Sequence, residues 1–305
     1  MNIENVNGVK LGADPECFVI NDKGALLSAH GLVPGTKAVP HKVDNGAVQL
    51  DGHAAEFNIS AASNKEEFVS NIRSVMDQLT AILPKGYSLS AQPVAEFGND
   101  YLSTFPEEAN EMGCEPDFEA WSGEPNPRPN AKLDFRTGAG HVHIGWTEGM
   151  DVDNPDHIEA CRMLTKELDF YLGLVSLLWD RDCKRRTMYG MPSTYRVKSY
   201  GVEYRSLSNA WLQDSRLMAL VYDLTIACVN NMMSGDENKM LHISCKEMAK
   251  SLMKNDGKEE DPVNWPTTHF VMDFIEYVLE GRGLAPGILD RLKELHAEGL
   301  IIWED

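Results

Sequence analysis

The 305-residue chain is short of basic residues: 28 lysines and arginines stand against 47 aspartates and glutamates, for a formal charge of −19. Such a surface repels phosphate backbones and anionic lipid at long range, which argues against nucleic acid and membranes as partners. A small anionic substrate could still be held by a local basic site or by metal ions. Long apolar runs are also missing. No stretch approaches the roughly 18 uninterrupted apolar residues that a membrane helix needs. The opening "MNIENVNGVKLGADPE" has no basic segment followed by an apolar one, so the expectation is a cytoplasmic protein. The six cysteines, Cys17, Cys114, Cys161, Cys183, Cys228 and Cys245, include no CxxC pair. That pattern excludes a disulfide framework and a zinc knuckle and leaves reduced thiols. Internal repeats and low-complexity tracts are absent as well.

What is present is 43% hydrophobic residues, enough to bury a substantial core. The first sixty residues read as short strands: "CFVINDKGALLS" as a hairpin around Asn21 to Gly24, and "AVQLDGHAAEFNI" as a second pair. "SNKEEFVSNIRSVMDQLTAIL" changes to helical spacing, with Phe68, Ile72, Met76, Leu79 and Ile82 on one face. Ser63 and Glu66 suggest a capping box at its start, and Pro84 with Gly86 its stop. "YSLSAQPVAEF" returns to a strand. Gly98 to about Asn130 is polar and rich in turns, and its aromatics Tyr101, Phe105, Phe118 and Trp121 suggest an ordered flap. "DHIEACRMLTKELDFYLGLVSLLW" and "RLMALVYDLTIACVNNMM" read as long, largely buried helices. From about Ser234 onward, two or three amphipathic helices are separated by "NDGKEEDP" and "GRGLAPG". Strands grouped as hairpins, without strict βαβ alternation, predict an α+β fold in which helices back an antiparallel sheet.

Four polar patches have strand spacing. "GADPECFVI" puts Asp14 and Glu16 on one face, and the proline between them implies an edge or bulge. "DGHAAEFNIS" offers Asp51, His53 and Glu56, and Glu56 sits in an apolar context where a buried carboxylate would need a cation. "TGAGHVHIGW" projects His141 and His143 from one side of a strand and Val142 and Ile144 from the other. "SYGVEYRSLSNAW" alternates Glu203 and Arg205 with apolar residues. Between the last two, "RDCKRRTMYGMPSTYRVKSYGVEYR" holds seven of the 28 basic residues in 25 positions against two acids. Guanidinium groups match phosphate oxygens in a bidentate fork, so this patch opposite an acidic metal site suits a polyphosphate. Each patch alone could be solvated strand residues or a plain salt bridge. Together they form an oxygen-rich set suited to Mg²⁺ or Mn²⁺ and not to structural zinc.

The ordered motifs "DPE", "DGHAAEF", "GHVHIG" and "EYR" resemble the carboxylate-amine ligases of the glutamine-synthetase-like fold, which include glutamate-cysteine ligase. More narrowly, "GCEPDFEAWSGEPNP" followed by "LDFRTGAGHVHIGW" is similar to the phage COOH-NH2 ligase family of amidoligases. The resemblance spans about residues 10 to 215. It implies a curved antiparallel sheet that binds ATP with Mg²⁺ or Mn²⁺ on its concave face. Carried over, Asp14, Glu16, Asp51, Glu56 and Glu203 would be metal ligands, His141 a metal or phosphate contact, and Arg205 a phosphate contact. His143 stands at a variable nucleotide-facing position. Arg136, Arg185, Arg186 and Arg196 would be phosphate or substrate-carboxylate contacts. The Asp14-Pro15-Glu16 motif departs from the Glu-x-Glu form of glutamate-cysteine ligase.

The expected organisation is a catalytic domain over residues 1–235 and a helical extension over 236–305 packed on it. The expected activity is ATP-dependent, ADP-forming amide or isopeptide synthesis through an acyl phosphate, in the cytoplasm of a bacteriophage-infected cell. Its partners would be a small-molecule or peptide carboxylate and an amine, with a homo-oligomer an open alternative. Two rival readings are a metal-dependent amide hydrolase built on the His-x-His strand and a non-catalytic binding protein on the ligase scaffold. Neither HExxH nor HxHxD accompanies the histidines, and the acidic and arginine motifs are intact.

Overall fold

A computed structural model describes residues 8–110, 117–127, 133–245 and 266–303. Cys114 and the "NDGKEEDP" separator lie outside the described residues. The strands are β1 (Lys10–Ala13), β2 (Glu16–Ile20), β3 (Leu26–Leu27), β4 (His41–Val43), β5 (Gly46–Asp51), β6 (Ala54–Ile59), β7 (Ser88–Ser90), β8 (Val94–Glu96), β9 (Phe118–Glu119), β10 (Phe135–Thr137), β11 (Val142–Gly145), β12 (Thr194–Lys198) and β13 (Gly201–Tyr204). One antiparallel sheet runs β1-β11-β13-β12-β9, and a second runs β3-β2-β6-β5-β4 with β7 also on β2. Leu11 and Ala62 exchange both backbone hydrogen bonds, at 2.9 and 2.7 Å, and the Glu16 N–H donates to the Ala139 carbonyl at 2.9 Å. These links join the two sheets along β1 and β2. The hairpins expected at β2–β3 and β5–β6 are present. "YSLSAQPVAEF" divides into β7 and β8, which serve different sheets, because Pro93 interrupts the ladder.

Helix α1 (Lys65–Ile82) packs Phe68, Ile72, Val75 and Leu79 onto the sheet with none of them exposed. Burying each such side chain stabilises the fold by roughly 1.5–3 kcal/mol before ordering entropy. Its capping box sits one residue later than the Ser63–Glu66 expectation. Asn64 accepts from the Glu67 N–H at 2.9 Å, and the Glu67 carboxylate accepts from the Ser63 N–H at 2.7 Å. Asparagine caps as well as serine, and the later frame completes the same reciprocal pair.

The stretch expected to form a flap carries two short helices, α2 (Asn99–Leu102) and α3 (Glu107–Asn110), and β9. Its described parts are ordered and tied to the body. Tyr101 and Phe105 pack in an aromatic cluster with Phe97 and His53. Arg162 grips the Ala120 and Trp121 carbonyls at 2.9 and 3.0 Å.

Helix α4 (Pro155–Leu168) starts with proline in its first turn under an Asn154 cap and lies behind β12 and β13. It continues as a widened turn over Asp169–Gly173 and a tighter one over Val175–Leu178. The short α5 (Cys183–Met188) precedes β12, and the long α6 (Ser215–Met233) packs on α1 and α4. Phe68 of α1 stacks on Trp211 at 6.1 Å. Helix α7 (Leu241–Ser244) is a single turn capped by the Glu167 carboxylate. Two further helices, Thr268–Phe274 and Ile288–Ala297, bury Val271, Leu292 and Leu295 in the same core, and the widened turn Ile275–Glu280 between them adds Ile275 and Leu279. The molecule is therefore α+β: the helices cover one face of the joined sheets, and Val48, Phe57, Val142, Ile144, Val202 and Tyr204 fill the space between. Among the described residues, no helix is long and apolar enough to cross a membrane.

Candidate active site

The face turned away from the helices carries the polar half of each strand. Antiparallel register brings Gly12, His143, Glu203 and Arg196 of β1, β11, β13 and β12 into one transverse row. Lys10, Gly145, Gly201 and Lys198 form the next row. Side chains two residues apart share a face, so Asp14, His141 and Arg205 continue the pattern just beyond the paired stretch. On the joined sheet, Glu16 of β2 stands opposite Glu56 of β6, and Gln49 of β5 flanks Glu56 on its other side. The result is a cavity of about 920 Å³ with Asp14, Glu16, Asp51 and Glu56 on one wall and Arg196, Lys198 and Arg205 on the other.

Like charges directly opposite one another in a ladder repel, and the acid wall behaves accordingly. Burial, aided by Asp51, pushes Glu16 up to about 7. Burial and the neighbouring Asp14, Asp51 and Glu16 hold Glu56 well above the usual carboxylate range. Burial also raises Asp51, against the pull of Lys37 and Arg205. The Gln49 amide donates to Glu56 at 2.6 Å.

Glu203 lies beneath the opposite wall with no exposed surface. Burial and Asp14 would raise its carboxyl, but Arg205, His141 and His143 overcome both and hold it far below the ordinary range. Lys198 reaches it at 2.9 Å and Arg196 at 3.1 Å, and Arg205 contacts it directly. The Asp117 carboxylate takes the Arg205 Nε–H at 3.1 Å, tying the residues ahead of β9 to the cavity.

The two histidines differ in state. Burial and Arg205 drop His141 to about 4, which leaves it neutral. The aligned hydrogen bond at its Nδ1 comes from Arg205 at 3.3 Å. The same Nδ1 lies 3.3 Å from Asp14 Oδ1 and 3.4 Å from Glu203 Oε1, so a guanidinium and two carboxylates converge on it. His143 is raised, because Asp14 at 2.8 Å outweighs burial. That 2.8 Å approach lacks hydrogen-bond alignment: Asp14 Oδ1 and His143 Nε2 are both buried without a hydrogen-bond partner. Among the described residues, Asp14, His143 and Glu203 each offer one donor atom, all within 4.8 Å of one another. With His143 neutral, these two unpartnered atoms beside a third oxygen form a donor set that fits a Mg²⁺ or Mn²⁺ ion.

The expected site residues thus separate. Asp14, Glu16, Asp51, Glu56, His141, His143, Arg196 and Arg205 line the cavity, and Glu203 floors it. Of the six expected ligands, Asp14 and Glu203 are in the tight cluster with His143, and His141 Nδ1 stands beside the same two carboxylates at 3.3 and 3.4 Å. Glu16, Asp51 and Glu56 line the same space farther out.

Three arginines do not reach the cavity. Arg136 spends its guanidinium on the Leu133 and Phe135 carbonyls at 2.7 and 2.8 Å and on the Asn110 side chain at 3.1 Å. Arg185 braces the Ser206 and Arg205 carbonyls at 2.8 and 3.2 Å. Arg186 pairs with buried Asp180 at 3.3 Å. All three are buried, and strand ends and chain crossings leave carbonyls there that only a long forked donor satisfies. Part of the basic patch is therefore structural.

Lys10, Lys37, Lys198, Tyr189 and Tyr200 also line the cavity and were not singled out from sequence. Lys198 was readable, two residues past Arg196 on one strand. Lys37 had no local signal. His53 turns away toward Ser28 Oγ at 2.7 Å and Asn110 at 3.1 Å. Cys17 faces the core, where burial and Glu16 push its thiol up to about 12. The glycine before His141 has a packing reason: a Cβ on Gly140 would lie 2.0 Å from the Ser208 carbonyl and 2.5 Å from Trp211 Nε1.

A deep cavity on the free face of an antiparallel sheet, with opposed acidic and basic walls and an ion-sized donor cluster between them, defines an enzyme-type site. The family model for the phage phiEco32-like COOH.NH2 ligase, type 2, matches residues 129–254. Over this segment the chain is similar to the COOH-NH2 ligase family, as the resemblance implied, and that similarity supports an enzyme that joins carboxyl and amine groups. No curated protein matches the chain. The matched segment holds His141, His143, Arg196, Glu203 and Arg205, and the fold sets Asp14, Glu16, Asp51 and Glu56 beside them.

Proposed function

We propose that the protein is an ATP-dependent carboxylate-amine ligase, with the glutamine-synthetase-like arrangement its curved sheet resembles, that forms an amide or isopeptide bond through an acyl phosphate. In this reading residues 1–235 carry catalysis and 236–305 are a helical extension. The single observation that carries it is the joining of the two sheets, which sets Glu16, Asp51 and Glu56 of one in the same cavity as Arg196, Lys198 and Arg205 of the other, in a chain whose residues 129–254 match a family named for this bond. Joining a carboxylate to an amine in water is uphill, and a carboxylate is a poor electrophile. Transfer of the γ-phosphoryl group onto it, with ADP leaving, converts it to a reactive acyl phosphate. The amine, having lost its proton, then attacks the acyl carbon, and inorganic phosphate departs with the C–O bonding pair.

Phosphoryl transfer calls mainly for positioning and charge neutralisation. Arg196, Lys198 and Arg205 supply cations that now rest on Glu203 and could exchange toward phosphate oxygens, and neutral His141 stands beside them. Asp14, His143 and Glu203 would hold Mg²⁺ or Mn²⁺. Such an ion supplies charge neutralisation at the polyphosphate. Glu16, Asp51 and Glu56 keep the rest of the cavity negative and suited to cations.

The test incubates the protein with ATP, Mg²⁺ and pooled carboxylates plus hydroxylamine, which traps an acyl phosphate as a hydroxamate. Carboxylate-dependent hydroxamate with stoichiometric ADP is the expected result. Amide hydrolysis without ATP, in place of hydroxamate, would overturn the reading.

A further inference from the structure

We infer that Tyr200 is a positioning residue: it fixes the His143 ring so that Nε2 presents its lone pair to the space between Asp14 and Glu203. The inference rests on the ligase reading for the identity of the ion, and on independent geometry for the role of Tyr200.

The tip of the β12–β13 hairpin, Ser199 and Tyr200, is clamped onto the residues that follow β11. The Tyr200 carbonyl accepts from the Trp146 N–H at 2.9 Å and the Thr147 N–H at 3.1 Å, and the Ser199 carbonyl accepts from Met150 at 2.9 Å. Gly201 completes the turn at φ +150°, where a Cβ would stand 2.1 Å from the Ile144 carbonyl. The backbone of Tyr200 is therefore held against the strand that carries His143. From there its hydroxyl reaches back over the cavity and meets His143 Nδ1.

An imidazole with a proton on Nδ1 donates it to the phenol oxygen and leaves a lone pair on Nε2. That atom faces Asp14 Oδ1 at 2.8 Å, and neither atom has a hydrogen-bond partner. His141 is held differently, with Arg205 at 3.3 Å, Asp14 at 3.3 Å and Glu203 at 3.4 Å all gathered at its Nδ1. Two residues apart on one strand, the histidines thus differ in surroundings, and His143 is the one whose far nitrogen meets a phenol. A hydrogen bond to the far nitrogen of a ligating histidine sets ring orientation and tautomer, and its loss typically weakens metal binding 10- to 100-fold.

The experiment titrates Mn²⁺, without nucleotide, into full-length wild type and Tyr200→Phe, and records the electron spin-echo modulation from a coordinated ¹⁴N. Thermal melting in EDTA and hydroxamate formation are followed in parallel. Expected are an Mn²⁺ affinity at least about tenfold weaker in Tyr200→Phe, a lost or diminished ¹⁴N signal, and unchanged melting in EDTA. Equal Mn²⁺ affinity and an equal ¹⁴N signal, in a wild type that forms hydroxamate, would overturn the inference and leave the ligase reading standing. A large drop in EDTA melting temperature would make Tyr200 merely structural and overturn it as well. Wild type that neither binds Mn²⁺ nor forms hydroxamate overturns both.

Discussion

Asp169 offers a sharp test of how the basic wall is held in place. Ser193, the residue before β12, adopts φ +65°, a left-handed conformation that a serine holds only when its surroundings enforce it. The enforcing group is the Asp169 carboxylate. It accepts from the Ser193 N–H and the Tyr204 hydroxyl, both at 2.9 Å, and from Ser193 Oγ. Asp169 is 4% exposed, and burial pushes its carboxyl up to about 7 in spite of these donors. Because the folded state binds the proton more tightly than the unfolded chain, the folded state carries more protons between about pH 4 and pH 7. Stability must therefore fall as pH rises through that window and level off above it. At about 1.4 kcal/mol per pH unit, the full loss is on the order of 4 kcal/mol.

Asp169→Asn keeps the shape, accepts from Ser193 N–H and Tyr204, and can donate to Ser193 Oγ, at a cost of about 1 kcal/mol for the altered bond. It should be about 2–3 kcal/mol more stable than wild type at pH 8 and no more stable at pH 5. Asp169→Ala removes the acceptor for three buried donors and should lose about 3 kcal/mol or more at pH 5. Urea unfolding at pH 5, 6, 7 and 8 measures all three proteins. Parallel pH profiles for wild type and Asp169→Asn would refute the reasoning, because the titrating group would then lie elsewhere.

Glu203→Gln removes the anion on which Arg196, Lys198 and Arg205 converge. It should destabilise the protein by about 3 kcal/mol in urea and abolish hydroxamate formation. Unchanged turnover would remove Glu203 from the site. Gly140→Ala drives a methyl into the Ser208 carbonyl and the Trp211 ring, so a loss of about 1–3 kcal/mol by thermal or chemical unfolding is expected, with reduced nucleotide binding as His141 shifts. A fully stable variant would mean that this junction packs more loosely than the backbone contact requires.

The polar faces of the strands could be read directly from sequence. Alternation is a local property, and a two-residue period commits side chains to a face wherever an extended chain is half buried. His141 and His143 share a face for this reason, as do Glu203 and Arg205, and the helix over Lys65–Ile82 followed equally from its 3.6-residue period. The family resemblance was legible because ordered motifs survive without coordinates. Local pattern could not say which polar residues meet. Glu16 faces Glu56, and His143 stands between Gly12 and Glu203, because of strand register, set by pairing between segments as far apart as Lys10 and Gly145.

The arginines make the same point in reverse. In sequence, Arg185, Arg186 and Arg196 are equivalent members of one basic run. In the fold, the first two end on buried carbonyls and Asp180, while the third points into the cavity. The sequence by itself determined the element types, the wet face of each strand and the inventory of charge. Tertiary structure alone decided which charges oppose one another and which histidine nitrogen keeps its lone pair, since both depend on neighbours brought together only when the sheet closes.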